Sequence, residues 1–402
     1  MEPRHHSRAD TPAVGPRFVA LDGLRAVGAL AILVTHVGFQ SGHAVQGQFA
    51  GFLARLDSGV ALFFVVSGFL LFRPHVVAHL DGRSRPAPGR YLRNRAVRIL
   101  PVLWVAVIAA WLLLGDGTTG LYLAHAFLVQ IYIPDHFVHG LTQMWSLATE
   151  VAFYLVLPAA ASALCRGGRE AQWVRRTAVA LGATIVLGPL WMATSTALGY
   201  SLPRLWLPGF IGWFGAGMLL ALLSVASDRG ILPNRMLQAA GRFPGTSWGL
   251  AAALYALGTT PLLGPLDLSE PTPASAALKN ILYCLIAVLI VTPCVPRQVD
   301  PPALLRSLSG SLGRRLGDTS YGIFAYHVVV LGVVDDSLGL QPFDGRFLTR
   351  LLPTLIVTLV LASLSYHLME RPLMRRARRV SPTSDRAGSA DEQLSYPPVP
   401  QR

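Results

Sequence analysis

Leu21-Asp22-Gly23-Leu24-Arg25-Ala26-Val27-Gly28-Ala29-Leu30-Ala31-Ile32-Leu33-Val34-Thr35-His36-Val37 is apolar enough to enter a bilayer, yet it carries an arginine and a histidine. An ionisable side chain at membrane depth is costly, so its presence there marks a functional position. On an α-helix the spacing of Arg25 and His36 returns to within about 20° of one face and separates them by roughly 16 Å along the axis. That rise is about half of a ~30 Å bilayer core.

The rest of the chain agrees with a membrane setting. Of 402 residues, 52% are hydrophobic and only 14% charged, far more apolar surface than a soluble domain needs. The apolar runs are long and continuous, not alternating, which excludes a β-barrel. The fold class is therefore an all-α polytopic membrane protein. A net charge of +13 in such a chain reads as the basic bias of cytoplasmic loops and not as a nucleic-acid partner. The three cysteines, Cys165, Cys284 and Cys294, show neither metal spacing nor a disulfide framework. No cleavable signal peptide is expected, because the first apolar run is long enough to span.

Ten spans are expected, at 22–40, 58–72, 99–114, 145–163, 177–198, 205–225, 246–264, 277–295, 318–337 and 350–369. Placing the N-terminus inside puts 28 of the 34 Lys and Arg in inner segments and five in outer ones, with Arg25 within a span. This bias orients the chain with both termini cytoplasmic. A shorter apolar run, 121–133, cannot cross without inverting every later loop. It is expected to be re-entrant or interfacial on the outer side, with His125, Asp135, His136 and His139 around it facing a wet site. The expected domain plan is a cytoplasmic tail over 1–17, a membrane domain over 18–375 and a second cytoplasmic tail over 376–402.

The depths of the polar residues suggest two sites. Asp22 resembles an N-cap, which puts Arg25 near the inner edge and His36 roughly 9 Å below the outer edge. Glu150, early in the span that starts at Trp145-Ser146, falls at about the same depth. A His–Glu pair at one level is either a general-base pair or a structural bond. Arg95 and Arg98 share one helical face at the inner start of the third span. With Arg25 they form either a phosphate clamp or an anchor for anionic lipid head groups. His327 is expected to be an interhelical hydrogen-bond partner and Ser67 a packing position, while Glu370-Arg371-Pro372 reads either as a helix-end pair or, near the clamp, as part of its pocket. The glycines of 209–217 read as helix packing and not as a nucleotide loop.

Several motifs in order resemble the acyltransferase 3 family of integral-membrane O-acyltransferases. They are Phe18 to Ala26 followed by His36, Gly59 to Leu70, the Arg-rich run 90–101, and Trp145-Ser146-Leu147-Ala148-Thr149-Glu150 with Phe153-Tyr154. Leu316 to His327 and Ser365-Tyr366 to Glu370-Arg371-Pro372 complete the series, so the resemblance covers about residues 18–375. One departure is Ala61, where many relatives carry an acid.

The resemblance implies a transferase that moves an acyl group from acyl-CoA, as co-substrate and with no bound cofactor or metal, to a hydroxyl. The acceptor would be a cell-envelope glycan or glycolipid, and the location a bacterial inner membrane. It implies His36 and Glu150 as catalytic residues and Arg25, Arg95 and Arg98 as the coenzyme A site. Asp22, Trp145, Ser146, Tyr321 and His327 complete the expected substrate-binding set. The esterase-like domain that some relatives append is not expected here. Two other readings use the same residues: a tailoring acyltransferase for a secondary metabolite such as a glycosylated macrolide, and a permease or flippase with no acyl chemistry.

Overall fold

The computed structural model describes residues 18–379, apart from 136, 169, 267–268 and 297–300. His136 and the expected tails 1–17 and 380–402 thus lie outside the described residues. Ten helices make up the bundle: α1 (Val19–Ser41), α2 (Gly59–Leu80), α3 (Pro88–Leu113), α4 (Met144–Leu164), α5 (Ala171–Ala197), α6 (Leu207–Asp228), α7 (Pro244–Gly258), α8 (Pro273–Val291), α9 (Ser311–Leu338) and α10 (Phe347–Ser365). Among the described residues there is no strand.

Among the described residues, nine helices are long and apolar enough to cross a membrane. The exception is α7, whose 15 residues rise only about 22 Å. The run expected over 246–264 breaks at Gly258, ahead of Thr259-Thr260-Pro261, and continues as a short 3₁₀ turn, Pro261–Leu263. Even so, α7 runs antiparallel to α8 from one end of the bundle to the other. Trp248 near its start bonds Ile290 O at 3.0 Å, and Tyr255 near its finish bonds Phe52 O. The chain therefore traverses the bundle ten times, and both ends of the described chain share one side. There the backbone of Asp22 abuts Gly317, and Arg93 Nη2 bonds Ala377 O at 3.0 Å. We call this the near end.

The short run after α3 does not cross. It forms an eight-residue helix, Thr119–Ala126, capped by Thr118 Oγ1 accepting from Leu121 N–H at 3.3 Å, and then a 3₁₀ turn, Gln130–Tyr132. Leu123, Phe127, Tyr132 and Ile133 stay exposed on it, as an interfacial segment requires. The outer faces of α3, α5 and α10 likewise expose aliphatic and aromatic side chains such as Trp104, Leu187 and Leu352. In water this would be a liability; against lipid it is ordinary solvation.

Close packing at the centre depends on glycine. α2 and α6 meet backbone to backbone, so that a Cβ at Gly68 would fall 2.2 Å from Phe214 O and one at Gly217 would fall 2.0 Å from Val65 O. Neither position admits a side chain, and the reading of 209–217 as a packing stretch holds. α10 ends in a π-turn, Tyr366–Glu370, in which Arg371 N–H reaches back to Tyr366 O. Pro372 explains it: proline has no N–H for Leu368 O, and its ring crowds that carbonyl. The turn leaves Glu370 buried, at 2% exposure, and the helix then resumes over Arg371–Arg379. The first residues of the expected tail, 376–379, are thus helical.

Candidate active site

α1 begins at Val19, with Phe18 as the flanking residue, so Asp22 is not the cap expected of it. It sits in the first turn, where a carboxylate favours the positive end of the helix dipole. One turn on, Arg25 enters a narrow cavity of ≈ 70 Å³. Arg95 and Arg98 from α3 line the same cavity, with Ser67 from α2, Ser146, Glu150 and Tyr154 from α4, and Tyr321 from α9. Expected to act together from two helices, the three arginines do line one cavity.

Among the described residues, Arg25, Arg95 and Arg98 make no hydrogen bond or ion pair. Arg25 lies over the Phe63 ring and Arg95 over the Tyr154 ring, each at 5.9 Å. Arg95 Nε is buried without a partner. Glu150 and Asp22 offset Arg25 electrostatically at longer range, whereas Arg98 repels it. Glu370, from the π-turn, is placed to feel both Arg25 and Arg98, and its Oε1 is buried without a partner. Of the two expectations for it, a helix-end pair with Arg371 or a part in shaping the pocket of the clamp, the second fits: it turns inward behind the arginine cluster.

The expected His36–Glu150 pair is not formed. Glu150 Oε1 accepts from Tyr154 OH at 2.6 Å and from Ser67 Oγ, so Ser67 has a polar partner and is not merely a packing residue. Equal depth fixes only the axial coordinate; the neighbour is set by which helices touch. α4 packs on α2, α3 and α6, while the main neighbours of α1 are α9 and α2. His36 accordingly meets His327 of α9, as an interhelical partner, with ring centroids 5.0 Å apart.

The hydrogen bonds of this pair define the tautomers. His327 Nδ1 lies 2.8 Å from Phe324 O and 3.1 Å from Ile323 O, and carbonyl oxygens only accept, so Nδ1 carries the proton and Nε2 accepts. That Nε2 is 3.3 Å from His36 Nδ1, which is also 2.8 Å from Ile32 O. His36 Nδ1 is therefore the protonated nitrogen, and His36 Nε2 keeps the basic lone pair.

A second cavity, of ≈ 370 Å³, opens at the far end of the bundle. Its walls include Trp145, Phe210, Trp213, Asp57, Lys279 and Asn280. Trp145, expected in the substrate set beside Ser146, belongs to this cavity, whereas Ser146 and Tyr321 belong to the first. Tyr321 is anchored there by donating to Ile99 O at 2.9 Å. Asp22 lines neither cavity. Val60 lines both, and on α1 His36 falls between Ile32 of the first and Phe39 of the second. Among the described residues, no three His, Cys, Asp or Glu side chains gather as metal ligands.

A family model described as an acyltransferase domain matches residues 18–367. The exopolysaccharide production protein ExoZ of Rhizobium meliloti is 26% identical over 347 residues, covering 83% of this chain and 95% of that protein. Nodulation protein 10 of Rhizobium leguminosarum bv. viciae is 26% identical over 400 residues, covering 90% and 95%. The peptidoglycan O-acetyltransferase OatA of Listeria monocytogenes is 22% identical over 378 residues, covering 89% of this chain but 56% of OatA. No solved structure matches the chain. With the match running from the first turn of α1 into the π-turn after α10, across every residue of both cavities, the chain belongs to the acyltransferase 3 family.

Proposed function

We propose that this acyltransferase moves an acyl group from acyl-CoA, bound at the near end, to a hydroxyl of a carbohydrate-containing acceptor that approaches from the far end. The observation that carries the donor assignment is the convergence of Arg25, Arg95 and Arg98, all without anionic partners, on one narrow cavity. Three guanidinium groups at membrane depth, balanced only at longer range by Glu150, Asp22 and Glu370, are costly, and phosphates are their best bidentate ligands. A lipid anchor would need the same groups on the outer surface of the bundle, whereas these line a recess between α1, α2, α3, α4 and α9. The near end also holds most of the Lys and Arg of the chain, which supports reading it as the cytoplasmic side, where coenzyme A is found. The carbohydrate acceptor is supported by the exopolysaccharide and peptidoglycan proteins among the relatives.

The cavity is small, at ≈ 70 Å³, and suits the slender pantetheine arm. From Arg25 it reaches Ile32, one turn short of His36, within the roughly 16 Å that separates the arginine from the histidine along α1. His36 Nε2 takes the proton of the acceptor hydroxyl as its oxygen attacks the thioester carbonyl. The C–O bond forms, the C–S bond breaks, and the imidazolium returns its proton to the departing thiolate. His327 Nε2 and Ile32 O accept from His36 Nδ1–H throughout, which holds the ring and spreads the transient charge. Glu150 balances Arg25 and, through Ser67 and Tyr154, stiffens the cavity wall.

Purified protein in lipid nanodiscs should transfer label from acetyl-CoA to a glycan acceptor. His36→Ala should lower kcat by about 10²–10⁴-fold with coenzyme A binding retained. Full activity in that variant removes His36 from the chemistry. Substrate movement across a sealed membrane without acyl-CoA consumption would favour a permease.

A further inference from the structure

We propose that the far-end cavity is the acceptor site and that it takes a single pyranose ring, gripped between Trp145 and the Asp57–Lys279 pair, with a hydroxyl presented to His36 past Val60. This rests on the reading of the near-end cavity as the donor site. Four observations carry it.

The first is size. At ≈ 370 Å³ the far cavity falls in the ~300–1,000 Å³ range of small-ligand sites, whereas the near cavity, at ≈ 70 Å³, does not. The second is the lining. Trp145 is half-buried and stacks obliquely on Phe210, with ring centroids 5.2 Å apart, and Phe210 in turn meets Trp213 at 4.9 Å. A continuous aromatic wall of this kind suits the C–H face of a sugar, which is apolar yet electropositive.

The third is the state of the charges. Lys279 Nζ bonds Asp57 Oδ2 at 2.8 Å, and Tyr283 OH donates to the other oxygen, Oδ1. Lys279 and Asp57 remain about a third exposed, at 35% and 32%, so they can still hydrogen-bond a ligand without becoming unpaired. Asn280 is held by Gly209 O at 2.9 Å and supports Trp213 through its own carbonyl at 2.9 Å. A neutral polyol fits a site whose ions already satisfy one another; a phosphate does not. The fourth is continuity. Val60 separates this cavity from the near one, and Asp57 is close enough to act electrostatically on His36.

The test titrates the full chain, in nanodiscs free of sugar detergents, with methyl glucoside, galactoside, mannoside and N-acetylglucosaminide by calorimetry. It is done without acyl-CoA, so it does not depend on the donor reading; coenzyme A is titrated separately. At least one pyranoside should bind saturably. Lys279→Ala, which leaves Asp57 bonded to Tyr283, and Ala276→Phe, which fills the cavity, should each weaken it at least tenfold while coenzyme A affinity stays within twofold. If Ala276→Phe does not fold, Lys279→Ala alone decides. No pyranoside binding in the unmodified chain, or equal binding in the variants, overturns the proposal. Loss of coenzyme A binding by the unmodified chain overturns only the donor reading.

Discussion

The near cavity and the far cavity share walls from α1, α2 and α4, yet they treat charge in opposite ways. At the near end three guanidiniums face one another across a narrow space, and among the described residues none is hydrogen-bonded. At the far end every cation is occupied: Lys279 by Asp57 at 2.8 Å, Arg204 by Glu270 at 2.6 Å, and Arg55 by Gly258 O and Gly264 O at 3.0 Å each. A buried charge without a partner costs stability, so a fold keeps it where a ligand supplies the partner. A charge bound to its own neighbours instead sets shape and offers its spare hydrogen-bonding capacity. On the proposed reading the near cavity neutralises an anion and the far one orients something neutral.

The widest split between the two is expected from Arg98→Ala. A hydrogen bond to a charged group contributes about 1.5–3 kcal/mol, so KM for acyl-CoA should rise roughly 10- to 100-fold. KM for the acceptor should stay within twofold. Arg98→Lys should recover only part of the loss, since an ammonium cannot bind phosphate bidentately. Equal effects on both substrates, measured by steady-state kinetics, would merge the two cavities into one site.

Val60→Phe tests the partition. The residue lines both cavities at 8% exposure, and a larger ring there narrows the route by which acyl group and acceptor meet at His36. kcat should fall roughly tenfold, the size expected of misplacement near the chemistry, with coenzyme A and pyranoside affinities retained. Unchanged kcat would mean that transfer does not pass Val60.

How much of this was legible in the chain follows from what each residue's partner is. Apolar run length gave the spans because it is a property of single segments. Arg25, Arg95, Arg98, Ser146, Glu150 and Tyr321 could be named from motif and depth, and they meet in one cavity. The partner of His36 could not. Depth along a helix can be counted from sequence, but rotation around it depends on packing. It took the contact of α1 with α9 to bring His327, and not Glu150, to His36. Ser67 was hidden for the same reason. Its neighbour Gly68 lets α6 approach α2, and its own hydroxyl meets α4, neither of which is encoded within α2. Tyr154 was within reach: it lies one turn after Glu150 on the same face, a spacing that predicts the hydrogen bond observed.

Ser67→Ala gives a smaller effect confined to the near side. It removes one of the two hydroxyls that donate to Glu150, a loss of about 1 kcal/mol and so roughly fivefold in kcat/KM for acyl-CoA. Combined with Tyr154→Phe the loss should exceed the product of the singles, because Glu150 is then left without either donor. Strict additivity in a double-mutant cycle would show that Glu150 does not act through these two hydroxyls.

The smallest effect separates the charges that serve the cavities from those that serve the fold. Asp81 follows the last turn of α2, where a carboxylate is opposed by the helix dipole, and Arg229 after α6 compensates through Nε and Nη2, each at 2.8 Å. That hydrogen-bonded guanidinium holds the Asp81 carboxyl below the usual carboxylate range, with burial opposing it weakly. A depressed folded pKa contributes stability above the unfolded value of about 3.9 and loses it as pH falls through the folded value. Arg229 is 41% exposed, so the pair contributes at most about 1 kcal/mol after screening. Asp81→Asn should therefore lower Tm slightly at pH 7, by about 1–2 °C, and the difference should vanish as the pH is lowered through the folded value of Asp81. Neither substrate's KM should move, because Asp81 and Arg229 line neither cavity. A kinetic change in that variant would mean that the α2–α6 contact reaches the site, and the division between structural ions and substrate ions would have to be redrawn.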